Sequence, residues 1–299
     1  MPTDAPAAPA APAAAERNAA ADRVTGLDAL ELGGATDRER LAARFWRSAW
    51  PKLLAVAIVI AAWQAVVLAE LKPAYVLPGP AEVFDELGAI VTTGEFWDAV
   101  RLTMTRAVIG FLLAVVIGTV VGAAVATFAP LRAAIGSLIT GLQTMPSIIW
   151  FPLAILLFQL SESAIMFVVI IGAAPSVANG LISGIDYVPR TWLRVGQVLG
   201  MRGIARYRHL ILPASLPSFV SGLKQGWAFS WRSLMAGELL VIVPGALSIG
   251  VRLQSARELN EAALLIAWII VVLLIGILID VLFNAADNNL RRRWGLKQP

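Results

Sequence analysis

Three ionisable residues lie inside one apolar run, and they raise the first chemical question. Lys224, Arg232 and Glu238 all fall between Ala214 and Val243. A charged side chain inside hydrocarbon costs about 2.5–3.5 kcal/mol on insertion scales, so such residues face a protein interior or a water-filled path. Arg232 sits deepest in the run. Two roles are open to it: drawing in an anionic substrate, or forming a structural ion pair with Glu238. Lys224, nearer one end, is expected to snorkel to the interface. Asn179, in another apolar run, either lines the same path or makes a helix-to-helix hydrogen bond. Pro146, Pro152 and Pro175 interrupt neighbouring runs. Carbonyls freed by a proline need protein or water partners, so these residues either border a cavity or bend helices for packing. Arg106 and Asp280 read as structural.

A second stretch carries a different chemistry. "GMRGIARYRHLILPASLP", Gly200 to Pro217, holds three arginines, Arg202, Arg206 and Arg208, and the only histidine of the chain. Arg202, Arg206 and His209 fall at i, i+4 and i+7 and share one helical face, with Ile204, Tyr207 and Ile211 leaning to the other. Residues 186–213 read as two short helices joined at Gly200. Pro189 suits a first turn, and Gly200 suits a left-handed cap. Pro213 is expected to end the second helix and to push Leu212 toward extended geometry. A basic face backed by an apolar one fits either anionic lipid or a groove in a soluble partner. Composition alone favours lipid.

Other chemistries are excluded. The chain has no cysteine and one histidine, which removes disulfides and Cys-based sites and leaves little for a metal centre. No G-x(4)-G-K-[ST] occurs, so the chain does not bind ATP through a P-loop. No paired carboxylates or activated nucleophile stand out, and no catalytic residues are assigned.

The elements that must position these residues are membrane spans. Of 299 residues 58% are apolar and 15% charged, with a mean hydropathy of +0.75; a soluble domain carries about 25% charged residues. Six spans are expected, at about 53–69, 102–128, 135–160, 163–185, 214–243 and 262–283, all long enough to cross a bilayer at roughly 20 residues, some with tilt. Arginine and lysine precede the first span, recur between the second and third, crowd 186–213, and follow the sixth. Only Lys72, Arg101, Arg252 and Arg257 lie in the loops on the other side. That asymmetry places both termini and the basic segment in the cytoplasm. Residues 1–40, rich in alanine and proline, read as a disordered tail without signal-peptide character. Val83, Leu87, Ile90 and Val91 predict a short amphipathic helix in the outer loop. Gly118 and Gly122 form a GxxxG for close helix packing, and Trp46, Trp50 and Trp294 read as interfacial anchors.

The spacing G-x(9)-[IL]-x-L-P, filled by Gly200, Leu210, Leu212 and Pro213, resembles the EAA loop of ABC-importer permeases. Further stretches are similar to the nitrate/sulfonate/taurine/bicarbonate branch: "LPGPAEV" before the outer helix, Thr103-x-x-Arg106-x-x-x-Gly110, "MPSIIWFPL", "GWAFSWRSLMAGEL", and Asp280 with Trp294. Two departures stand out. Arg194-Val195-Gly196 replaces the Glu-Ala-Ala triplet, and Phe158-Gln159-Leu160-Ser161-Glu162 replaces F-G-x-G-E, which stiffens that turn. The resemblance implies an all-α, six-span type I importer permease, with 41–299 as the transmembrane domain. Residues 186–213 would hold the coupling helix, its contacts including Gly200, Arg202, Gly203, Arg206, Leu210, Leu212 and Pro213. It implies two copies in the bacterial inner membrane, cytosolic ATPase subunits that bind ATP and Mg, and an extracytoplasmic substrate-binding protein. No nucleic acid is implied. The substrate would be a small anion, a sulfonate or taurine first, then nitrate, bicarbonate or another organic acid. Arg232, Glu238, Asn179 and Pro146 are the residues assigned to its path. An ATPase-independent transporter or channel is the first alternative, weakened by the lack of an internal repeat. A non-transporting, lipid-bound scaffold is the second.

Overall fold

The computed structural model describes residues 33–293, and every regular element among them is helical. Most of the Ala/Pro-rich tail, Trp294 and Lys297 lie outside the described residues. Helix α1, Gly33–Leu68, begins inside the stretch assigned to that tail. Residues 33–44 are rich in Ala and Arg, which are good helix formers, and lack the prolines of the preceding run. Pro51 lies within α1, and its apolar stretch Ala49–Leu68 is long enough to cross a membrane. This helix belongs to one unit of the chain, and residues from Glu70 onward form another.

In the second unit the amphipathic helix α2 spans Pro80–Val91 and buries Val83 completely. Three long helices follow as its core: α3 (Gly94–Thr127), α6 (Glu162–Asp186) and α9 (Leu212–Leu240). Helix α6 lies between the other two, and its middle, Ala173 to Ala178, is buried. Small residues allow this. A Cβ on Gly118 or Gly122 of α3 would lie 2.5 or 2.8 Å from the carbonyl oxygens of Ala174 and Ala178. On the other side of α6, Gly180 meets Gly222 of α9, where an added Cβ would stand 2.6 Å from a backbone atom. Hydrocarbon gives no hydrophobic drive between helices, so close backbone approach of this kind supplies the packing. Pro175 sits in this buried stretch and lines neither of the two cavities described below, so its place is in the helix packing. Helices α10 (Ile249–Glu258) and α11 (Ala262–Arg293) close the unit; Phe96, Ile249, Leu253, Trp268 and Val271 pack at the α2 end.

The six-span reading needs adjustment in two places. Among the described residues four helices, α1, α3, α6 and α11, are long and apolar enough to cross a membrane. The expected third span is not one rod: α4 (Ala129–Thr144) and the pair formed by the 3-10 turn Ser147–Trp150 and α5 (Phe151–Phe158) meet at 104°. Counted as one broken span it makes five. Pro146 stands at that break, whereas Pro152 lies in the first turn of α5, where it starts a helix. Helix α9 is long enough to cross but too polar to pass the same test. Its Ser, Gln and charged residues are tolerable because much of its surface faces protein instead of lipid.

Pro213 does not end a helix. Helix α7 (Arg190–Val198) is followed by α8 (Gly203–Arg206), a π-turn (Tyr207–Ile211) and α9 without interruption. Leu212 is helical (φ −58°, ψ −50°), not extended, and its N–H donates to the Tyr207 carbonyl five residues back. The wider turn gives the proline ring room against the carbonyl of residue 209, the clash that otherwise breaks a helix. The result is one rod from Gly203 to Leu240, roughly 57 Å long at 1.5 Å per residue.

Candidate functional site

A polar stripe runs along that rod. Ser218, Ser221, Gln225, Phe229, Arg232 and Ala236 recur at intervals of three and four, on one helical face. They border two cavities that share Gln225. The first, about 620 Å³, is lined by Asn179 and Ser183 of α6, Trp192 of α7 and Arg291 of α11. The second, about 770 Å³ and open to its surroundings, is lined by Gln143, Pro146, Ser147, Phe229 and Arg232. The stripe from Ser218 to Ala236 covers about 27 Å of rise, close to the thickness of a bilayer core.

The neighbours of the stripe are held by hydrogen bonds. Asn179 Nδ2 donates to Gln143 Oε1 at 3.0 Å, so Asn179 both borders a cavity and fixes a residue of the next one. Ser233 Oγ donates to Ser147 Oγ at 2.8 Å, tying the broken span to α9 beside the proline break. Arg232 is the one charged residue lining the second cavity. No carboxylate pairs with it among the described residues; its guanidinium lies 5.7 Å from the Phe229 ring centroid.

The expected alternative partner of Arg232 is engaged elsewhere. Glu238 is fully buried and borders neither cavity. Six residues beyond Arg232, it is turned about 120° away round the helix. Its Oε1 accepts from Arg106 Nη1 at 2.9 Å, its Oε2 accepts from Thr103 Oγ1 at 2.9 Å, and Gly250 N–H donates to Oε2 at 3.1 Å. Arg106 also donates to both oxygens of Glu162 at the start of α6. Ile249 N–H donates to Thr103 Oγ1 at 3.1 Å. The carboxylate therefore caps the N-terminus of α10, where the helix dipole favours negative charge. Gly250 is required here, since a Cβ would stand 2.3 Å from Glu238 Cβ. One cluster thus joins α3, α6, α9 and α10. Glu238 belongs to that cluster and does not touch the stripe.

Two further placements differ from expectation. Lys224 does not snorkel free: its Nζ contacts Asp280 Oδ1 at 3.0 Å and donates to Asn284 Oδ1 at 2.7 Å, linking α9 to α11. In the replaced F-G-x-G-E turn, Gln159 keeps a glycine-type backbone, φ 58° and ψ −160°, a conformation that strains a side-chain-bearing residue. Ser161, at the second glycine position, is extended and unstrained.

The basic segment forms as a tight double turn. Gly200 has φ 75°; its N–H donates to Gln197 O, and Met201 N–H donates to Gly196 O. That pattern closes α7 with a paired cap in which only the left-handed residue favours glycine. Val198, Leu199 and Ile204 project from the tip, 88%, 68% and 85% exposed. Leu210 is half-buried, against Gly196.

Broken helices, intramembrane polar residues facing cavities and long apolar rods define a multi-pass membrane transport protein. The chain belongs to the binding-protein-dependent transport system inner membrane component family, whose profile matches residues 114–292. It is 25% identical over 264 residues to the taurine transport system permease protein TauC of Escherichia coli K12, covering 84% of this chain and 95% of that one. It is 28% identical over 217 residues to the bicarbonate transport system permease protein CmpB of Synechococcus elongatus, covering 68% and 77%. Its fold is that of type I ABC-importer permeases. A chain of the MetNI methionine ABC transporter, solved in inward-facing form, superposes with a TM-score of 0.55 at 17% identity, covering 65% of this chain and 96% of that one.

Proposed function

We propose that this permease subunit carries a small anion along the α9 stripe, driven by a cytosolic ATPase that moves residues 186–213. The observation that supports this most is the single rod from Gly203 to Leu240. It bears the basic segment at one end and the unpaired Arg232 on its polar face. Movement imposed at the tip displaces the stripe directly.

In this reading Arg232 attracts the anion, and Gln143, Ser147, Gln225 and Asn179 replace part of its hydration. The substrate class is an oxyanion or organic anion, with a sulfonate such as taurine first and bicarbonate next, in line with the relatives above, and nitrate after them. Glu238 holds the framework. The basic segment and both termini lie in the cytoplasm, by the distribution of Arg and Lys. Two copies of the chain enclose the path, a binding protein delivers substrate on the far side, and ATP with its Mg resides in the partner ATPase. ATP binding favours one packing of the spans and its loss favours another, so access alternates by population shift.

Co-purification tests the assembly, and Gly200→Val tests the coupling. The substitution places a β-branched side chain at φ 75°, which costs roughly 1–2 kcal/mol and reshapes the tip without touching the stripe. We expect ATPase activity stimulated by loaded binding protein to fall about tenfold, as a loss of about 1.4 kcal/mol in coupling would give, with basal activity retained. Unchanged stimulation would remove the coupling role from this segment.

A further inference from the structure

The tip of the basic segment holds a cleft between two arginines. Arg202 and Arg206, with Gln197, Met201 and Gly203, line a cleft of about 350 Å³. Arg206 Nε is buried there without a hydrogen-bond partner. A desolvated cationic donor left unpaired is expensive, and the cleft admits one compact acceptor. Nothing in the neighbouring chain supplies it: between Asp186 and Glu238 there is no Asp or Glu, while Arg190, Arg194, Arg202, Arg206 and Arg208 all fall there. Arg194 also stands at the position of the glutamate in the family triplet, which inverts the local charge. Gly200 and Gly203, at φ 75° and 53°, fix the turn around the cleft.

We propose that the partner subunit receiving residues 190–209 presents an acidic groove, with at least one Asp or Glu carboxylate entering the Arg202–Arg206 cleft. The inference rests on the coupling reading above and specifies the partner it needs. Guanidinium and carboxylate pair through directed, charge-assisted hydrogen bonds. Val198, Leu199 and Ile204 beside the cleft form an apolar knob at the tip of the turn, a shape for a protein groove. An anionic lipid surface is the competing source of negative charge. Trp192 lines the first cavity but is 52% exposed, and Val195 beside it on α7 is 56% exposed, so the test below carries a lipid arm.

A zero-length carbodiimide cross-link reads this directly, because it joins an amine to a carboxylate in contact. The only lysines of the chain are Lys52, Lys72, Lys224 and Lys297, so the native segment is a blank. The full chain, co-purified with its ATPase in nanodiscs, is treated as wild type, as Arg206→Lys and as Arg202→Lys. The expected result is a cross-link from the lysine variants, absent in wild type, to an Asp or Glu of the nucleotide-binding subunit. Arg202→Glu with Arg206→Glu should lower ATPase retention at least about tenfold, and should do so equally in neutral and phosphatidylglycerol-containing nanodiscs. If the doubly reversed chain keeps its ATPase and no cross-link forms, the acidic-groove inference is wrong while the importer reading stands. If reversal matters only where phosphatidylglycerol is present, the cleft is a lipid site and the inference is again wrong. Failure of the wild-type chain to retain any ATPase would instead overturn the coupling reading beneath it.

Discussion

Glu238→Ala is expected to be the most destabilising single substitution in the membrane-embedded core. It leaves Arg106, which is 4% exposed, with one of its two carboxylate partners. It also leaves the Thr103 hydroxyl proton and the Gly250 N–H without their carboxylate acceptor in a buried site. Removing one member of a buried ion pair costs about 3–5 kcal/mol, because the remaining charge stays out of water without compensation. For a unit of this size, that shifts thermal unfolding in detergent downward by on the order of 10 °C. Glu238→Gln keeps acceptor oxygen but not charge, and should fall between. Thr103→Ser keeps the hydroxyl and should be mild, whereas Thr103→Val should lose the bond to α10. Combining Glu238→Ala with Arg106→Ala should be less harmful than the sum of the two, since the pair acts as a unit. A Glu238→Ala protein as stable as wild type would show that the cluster contributes nothing to the core.

Arg232 is expected to show the opposite pattern, a large effect on transport with little on stability. It has no acidic partner among the described residues, so Arg232→Gln strands no buried charge. A charged hydrogen bond to an anion contributes about 1.5–3 kcal/mol, and its loss should reduce uptake of the substrate anion about 10- to 100-fold. Arg232→Lys keeps the charge but not the planar fork and should recover part of the activity. Radiolabelled uptake into proteoliposomes containing the ATPase and binding protein, paired with thermal unfolding of the same preparations, separates the two effects. If Arg232→Gln unfolds far below wild type, or transports as fast, Arg232 is not the anion-attracting residue.

The sequence made several parts of this architecture readable one at a time and hid how they join. Thr103 and Arg106, Glu162 and Glu238 each stand in a separate motif, yet nothing local says that they meet. Their junction depends on α3, α6 and α9 packing at glycines far apart in the chain. The relation of Arg232 to Glu238 was within reach, since six residues place two side chains on different faces of a helix. The stripe was equally accessible: Ser218, Ser221, Gln225 and Arg232 recur at helical spacing, and reading polar residues by period as well as by charge exposes it. Asp280 is structural, as its sequence reading has it, but the snorkelling expected of Lys224 leaves out its partner; the contact between α9 and α11 pairs the two. Pro213 misled for a different reason. The rule that proline ends a helix assumes i→i+4 bonding, and the π-turn before it changes that pattern. Gly200, by contrast, obeyed its local rule, because a left-handed cap is set by a few neighbouring residues and not by the rest of the fold.

The central claim is that the α9 stripe opens to one side of the membrane and then to the other as the ATPase binds and releases nucleotide. The chain contains no cysteine, so single substitutions Ser221→Cys and Ala236→Cys, toward the two ends of the stripe, report only their own surroundings. Each is reconstituted with the ATPase and exposed to a membrane-impermeant thiol reagent from one side at a time. Without nucleotide, Ser221→Cys should react from the side of the basic segment and Ala236→Cys should be protected. With a non-hydrolysable ATP analogue, Ala236→Cys should become reactive from the opposite side and Ser221→Cys should be shielded. Labelling that ignores nucleotide, or both positions reacting from both sides at once, would contradict alternating access and point to a channel.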